Sequence, residues 1–177
     1  MATPLKGDAH PINQNGWPDA YPTPSTTTFD QLEPSVLASW IQGQADGAGS
    51  KVPGVDYIVV DVRRADCESL IPGAINLPAH SFYQSLPSLL PLLSRVPILV
   101  FHCGNKNTRG TRCAGWLADE LKRSGKYADG EQQEDGKVKI YVLKGGYNGW
   151  EREYGVEEIE TRGKWPVDKG TVKAVPL

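Results

Sequence analysis

The chain has 177 residues, long enough for one domain of the common size of about 100–150 residues and short for two. Its 19 basic and 21 acidic side chains leave a formal charge of -2 and a pI near 5.9, so there is no positive field for gripping a nucleic-acid backbone. Hydrophobic residues at 39% and charged residues at 23% give the balance of a soluble globular chain. No apolar run approaches the roughly 18–20 residues of a bilayer span, and the opening MATPLKGDAHPINQNGW lacks an apolar signal-peptide core. Neither nucleic acid nor membrane is therefore an expected partner, and the expected compartment is the cytoplasm, with the nucleus as a second. Cys67, Cys103 and Cys113 are odd in number and too few for a disulfide-stapled scaffold, which leaves at least one as a working thiol or plain filler.

Residues 1–26 hold Pro4, Pro11, Pro18, Pro22 and Pro24 without any helical or alternating apolar period, and read as an irregular arm that Trp17 and Tyr21 can pin to a domain surface. Glu33 before Pro34 suits a helix start, and Val36, Leu37, Trp40 and Ile41 share one face. Residues 55–61, VDYIVVD, form a short β-branched run bounded by Gly54 and a charged cluster, the pattern of a buried strand; residues 74–77 are a shorter strand candidate. Residues 83–93 carry leucines at helical spacing, but Pro87 and Pro91 predict a short or broken helix. The most apolar strand is predicted at 96–102, VPILVFH, followed by an amphipathic helix at 110–122 with Cys113, Trp116, Leu117 and Leu121 on one side. The polar, acidic stretch 124–136 reads as an exposed insertion, 139–143 as the last strand and 146–154 as a final helix; 155–177 form a tail with no clear period. Apolar strands separated by helices predict an α/β domain with a parallel sheet covered on both faces. Ligands of such sheets sit beyond the carboxyl ends of the strands. That places chemistry in the loops 62–69, 79–82, 103–109 and 144–147.

One of these loops carries a reactive pattern. Cys103 is the first residue after the strand at 96–102, and Arg109 follows after five residues, Gly104, Asn105, Lys106, Asn107 and Thr108. The spacing alone is weak, and cysteine is a common core filler. The setting makes it specific: a loop closing onto a helix N-terminus turns backbone N–H groups inward and forms an anion cradle, and Gly104 and Gly110 supply the backbone freedom. The same field favours a thiolate at Cys103, while the guanidinium of Arg109 can hold two oxygens of a tetrahedral oxyanion. His102 either tunes the thiol or is a satisfied buried histidine. The histidines and cysteines show no metal-ligand spacing beyond the adjacent His102 and Cys103, so no metal is expected.

HCGNKNTRG resembles the HC-x5-R loop of the rhodanese-fold phosphatases of the M-phase inducer dual-specificity type, and of the eukaryotic arsenate reductases that share that fold. Upstream, VVDVRRADC and IPGAINLPA are similar to the Asp-x-Arg and Gly-Ala-x-Asn-x-Pro signatures of rhodanese domains, and downstream LKGGYNGW is similar to their Gly-Gly-x-x-x-Trp segment. The resemblance implies one rhodanese-like domain over residues 27–154 with an about five-stranded parallel sheet. It implies a cysteine-dependent phosphatase acting on a phosphorylated substrate, in which Cys103 attacks and Arg109 with the loop amides binds the oxyanion. The alternative is an arsenate reductase that takes arsenate and draws electrons from glutathione or glutaredoxin; otherwise no cofactor is implied. A thiosulfate-type sulfurtransferase ranks lower, because those relatives usually have one residue fewer in the loop. A catalytically silent binding module is the remaining alternative, and the presence of both Cys103 and Arg109 counts against it.

The chain departs from its relatives at Glu68, Ser69, Leu70 and Ile71, where many carry Gly-Gly-His-Ile, and at Val62, where M-phase inducers place a second cysteine. Cys67 is the candidate resolving thiol, against the simpler reading of an inert side chain, and Cys113 reads as core. Asp66 and Glu68 are the rim carboxylates available for leaving-group protonation, against a simpler role as solvated loop residues. Asp61 and Arg63 read as structural. Lys106, His80, Lys144 and Tyr147 are candidates for the mouth.

Overall fold

The computed structural model describes residues 20–43, 51–64, 67, 69–105, 108–130 and 134–155. Five parallel strands, β1 (Asp30–Leu32), β2 (Tyr57–Asp61), β3 (Ala74–Asn76), β4 (Ile98–His102) and β5 (Lys139–Leu143), form one sheet in the order β1-β5-β4-β2-β3. Four helices connect or follow them: α1 (Pro34–Ile41), α2 (Ala79–Leu93), α3 (Thr108–Arg123) and α4 (Gly146–Tyr154). This is an α/β fold with both sheet faces covered.

The covering follows from the strand residues. Along β2 and β4 successive side chains alternate between two cores, both apolar, so the strands read as continuous rather than alternating hydrophobic runs. Val60, Leu99 and Phe101 pack with Phe82 and Leu86 of α2 and with Cys113, Trp116, Leu117 and Leu121 of α3. Val59, Ile98 and Val100 face the other way, onto Leu37 of α1 and Trp150 of α4.

Three elements differ from the sequence expectation. The helix expected to be short or broken at Pro87 and Pro91 is a continuous α2 of 15 residues containing both. The two prolines lie four residues apart and are exposed, while Phe82, Leu86 and Leu93 are buried, so the lost N–H bonds fall on the solvent side and the packed face holds the helix. Helix α3 starts at Thr108 rather than 110, which brings Arg109 into its first turn. Strand β1 was not predicted; it pairs Gln31 with Val142 and Leu32 with Leu143 at the sheet edge.

Residues 20–28 run along α3. Trp116 Nε1 donates to the Pro22 carbonyl at 2.8 Å, and the Asp119 carboxylate accepts from Ser25 N at 2.7 Å, Thr26 N at 3.0 Å and Thr26 Oγ1 at 2.7 Å. Gly115 makes room for this strap: a Cβ there would collide with the Thr26 carbonyl and stand 2.8 Å from Pro24. Tyr21 packs against Tyr83 and Trp116 at centroid distances of 5.1 and 5.9 Å, while Trp17 lies outside the described residues. In the insertion, Tyr127 bridges to Val138 and Ala128 is fully buried, so this stretch is tethered to the start of β5. The tail beyond Gly155 also lies outside the described residues. Among the described residues no helix is long and apolar enough to cross a membrane.

Candidate active site

The chain order reverses between β4 and β2: from β2 it steps outward to β3, then returns to β4 on the other side. Loops leaving the carboxyl ends of strands at such a switch point diverge and leave a crevice. The loop after β4 begins with Cys103, which is 4% exposed; Gly104 is half-buried and Asn105 exposed. Lys106 and Asn107 lie outside the described residues. Thr108 is exposed and Arg109 half-buried in the first turn of α3, whose positive end thus stands at the loop.

Two glycine contacts set this geometry. Gly110, inside α3, lies so close to β4 that a Cβ would stand 3.3 Å from both Cα and C of His102. A side chain here would press on the strand end, so its absence eases the close approach of α3. From the other side α4 grips the loop: Tyr147 N donates to the Cys103 carbonyl at 2.8 Å and Asn148 N to the Gly104 carbonyl at 2.9 Å. The preceding turn takes Gly145 and Gly146 through φ of 73° and 59°, which explains the paired glycines.

The loop after β2 supplies a charged support. Asp61 is fully buried and its carboxylate accepts from Arg63 N, Nε and the terminal guanidinium nitrogen, the last at 2.6 Å. The same nitrogen of Arg63 donates to the Ser69 carbonyl at 2.5 Å, and the guanidinium stacks 3.6 Å from the Tyr147 ring centroid. Ser69 Oγ and the Tyr147 hydroxyl are hydrogen-bonded. Asn76 Nδ2 bridges the carbonyls of Asp61 and Arg63 at 3.0 and 3.1 Å, which ties the strand end to β3. The Asp-x-Arg and Gly-Ala-x-Asn-x-Pro segments thus converge on one corner. Asp66 and Glu68 fall outside the described residues. Cys67 is half-buried; burial disfavours the charged form of Arg63, and the hydrogen bonds and charge of Asp61 more than offset it, so Arg63 is held as a cation.

His102 is fully buried beneath Cys103. Its Nδ1 lies 3.3 Å from the Cys103 carbonyl, and its Nε2 has no hydrogen-bond partner and stands 3.9 Å from the Asp61 carboxylate. Burial pushes its pKa below the ordinary value; the attraction of Asp61 is too weak to reverse this, because Arg63 already occupies that carboxylate. Cys113 is fully buried on α3, and its thiol pKa is raised by burial, then by Cys103, with Arg109 and Arg112 opposing. Among the described residues no group of three or more His, Cys, Asp or Glu side chains could hold a metal ion.

The Rhodanese-like domain family model matches residues 44–153. The chain belongs to the rhodanese-like domain family. Its relatives carry two kinds of name. The chain is 24% identical over 140 residues to the dual specificity phosphatase ibp1 of Schizosaccharomyces pombe, covering 75% of this chain and 95% of that protein. It is 38% identical over 96 residues to arsenate reductase 2.2 of Oryza sativa subsp. japonica, covering 52% of this chain and 68% of that protein. Among solved structures, Ygr203w, a yeast protein tyrosine phosphatase of the rhodanese family, aligns with a TM-score of 0.55 at 24% identity, over 76% of this chain and 92% of that one. At that identity the structural likeness speaks for the fold alone.

Within this rhodanese-like domain the described residues bring Cys103, Gly104, His102 and the first turn of α3 with Arg109 to one strand end. Of the mouth candidates, Tyr147 lies in this corner, whereas Lys144 Nζ pairs with Glu33 at 2.6 Å. Sequence reasoning missed the joint role of Arg63, Ser69 and Tyr147. The available signal was that Tyr147 directly follows the paired glycines.

Proposed function

We propose that this rhodanese-like domain is a cysteine-dependent phosphatase of the protein tyrosine or dual-specificity type. The observation that carries this is the position of Cys103 at the end of the central strand, with Arg109 beyond five intervening residues in the first turn of α3. In the proposed reaction Cys103 Sγ bonds to phosphorus as the bond to the leaving oxygen breaks, and that oxygen takes a proton. Water then cleaves the thiophosphate, releasing inorganic phosphate and the free thiolate. Arg109 and the loop amides offset the charge on the transferring group. The site also accommodates a second reading, arsenate reduction, favoured by the 38% identity to the rice arsenate reductase. There glutathione or glutaredoxin supplies the two electrons that take arsenate to arsenite.

Paired assays on the parent and Cys103→Ser separate the readings: release of p-nitrophenol from p-nitrophenyl phosphate, and glutathione-dependent consumption of arsenate. The phosphatase reading expects the first activity and its loss in the variant. Phosphatase activity unchanged by Cys103→Ser would overturn it, and arsenate consumption alone would replace it with the reductase.

A further inference from the structure

Beside the Cys103 loop, on the side away from Arg63, a cavity of about 340 Å³ opens between the carboxyl end of β5 and the segment that leads into β1. Its polar wall comprises Thr27, Thr28, Gln31, Asn105, Thr111 and Lys144. Asn105 belongs to the reactive loop and Thr111 lies two residues beyond Arg109, so this cavity and the candidate active site share a wall. The volume falls at the lower end of the range of about 300–1,000 Å³ typical of ligand pockets.

We infer that this cavity is the subsite for the main chain of a phosphorylated peptide whose phosphate lies over Cys103. The inference rests on the phosphatase reading and names its substrate class. The lining argues for a neutral, hydrogen-bonding occupant. Three hydroxyls and two carboxamides are uncharged groups that can donate and accept, which suits peptide N–H and C=O groups. The cation of Lys144 is matched by Glu33 at 2.6 Å, so the described residues of the wall offer no uncompensated positive charge for a second phosphate. An aryl leaving group would gain little from hydroxyls and amides that its presence strips of water.

The wall is also built to hold its shape. Thr27 and Thr28 continue directly from the strap segment that the Asp119 carboxylate fixes to α3 through Ser25 and Thr26. Gln31 sits in β1 in register with Val142 of β5. Polar groups on a fixed frame lose little freedom on binding, which is what specificity by hydrogen bonding requires.

The test compares kcat/KM for a short alanine-flanked phosphotyrosine peptide with kcat/KM for p-nitrophenyl phosphate, in the parent and in a Thr28→Val/Gln31→Leu double variant. The parent is expected to favour the peptide, and the double variant to lower the peptide-to-aryl ratio about tenfold, the size of two neutral hydrogen bonds. Thr27→Val, at an exposed position outside any helix or strand, repeats the measurement without touching β1. An unchanged ratio in both variants, or a parent without peptide preference, overturns the subsite and leaves a phosphatase of small substrates. A parent that hydrolyses neither compound overturns the phosphatase reading itself, and the subsite with it.

Discussion

Beneath Cys103, the fully buried Asp61 has two claimants, Arg63 at 2.6 Å and His102 at 3.9 Å. Arg63 wins on distance and on its planar fork, and His102 is left neutral. The consequence for pH follows from the direction of its shift. Well above the ordinary value of 6.5, folded and unfolded chains both hold a neutral imidazole and the contribution vanishes. As the pH falls below 6.5, the unfolded chain takes up a proton that the folded one refuses, so stability is lost. Urea unfolding measured between about pH 7.5 and 5.5 should therefore show the parent losing stability more steeply than His102→Gln, before most carboxylates begin to titrate. Parallel slopes would mean that His102 titrates normally.

At the scale of elements, the close approach of α3 to β4 sets the spacing between Cys103 and Arg109. Gly110→Ala would press a methyl group against the His102 backbone, 3.3 Å away, and the central strand cannot yield without moving Cys103. The helix itself would gain from alanine, by about 1 kcal/mol, so stability should change little. Activity should fall between about tenfold and a hundredfold, the usual cost of a displacement of an ångström or less at a reacting group. Phosphatase assays beside thermal unfolding check this; an unimpaired Gly110→Ala enzyme would show that the approach is not what orders the loop.

The same elements show what could be read in advance. Strands β2 and β4 and the apolar side of α3 were legible because each buries a regular apolar pattern, and Cys103 was legible because it ends the most apolar of them. Strand β1 was not, since only Leu32 of its three residues is buried and its place depends on β5, more than a hundred residues away. Helix α2 was misjudged because proline reports a lost hydrogen bond but not which side of the helix loses it. The link of Arg63, Ser69 and Tyr147 joins two loops distant in sequence, and no local period announces it.

At the scale of the whole molecule, a parallel sheet with two apolar faces fixes where polar chemistry can lie: at the strand ends, where loops take over. Here the two central strands, β4 and β2, deliver Cys103 and the Asp61–Arg63 pair to the same end, and β5 delivers the glycine turn that holds the Cys103 carbonyl. The outer strand β1 and the strap before it add the polar cavity on one flank. The proposed role of Cys103 is that of the nucleophile that bonds to phosphorus. Its most direct test is acid quenching of the parent protein during turnover of p-nitrophenyl phosphate, followed by peptide mass spectrometry. A phosphoryl group on the peptide containing Cys103, absent from Cys103→Ser, is the predicted result. Turnover with no adduct on Cys103, or with the phosphoryl group on another residue, would contradict it.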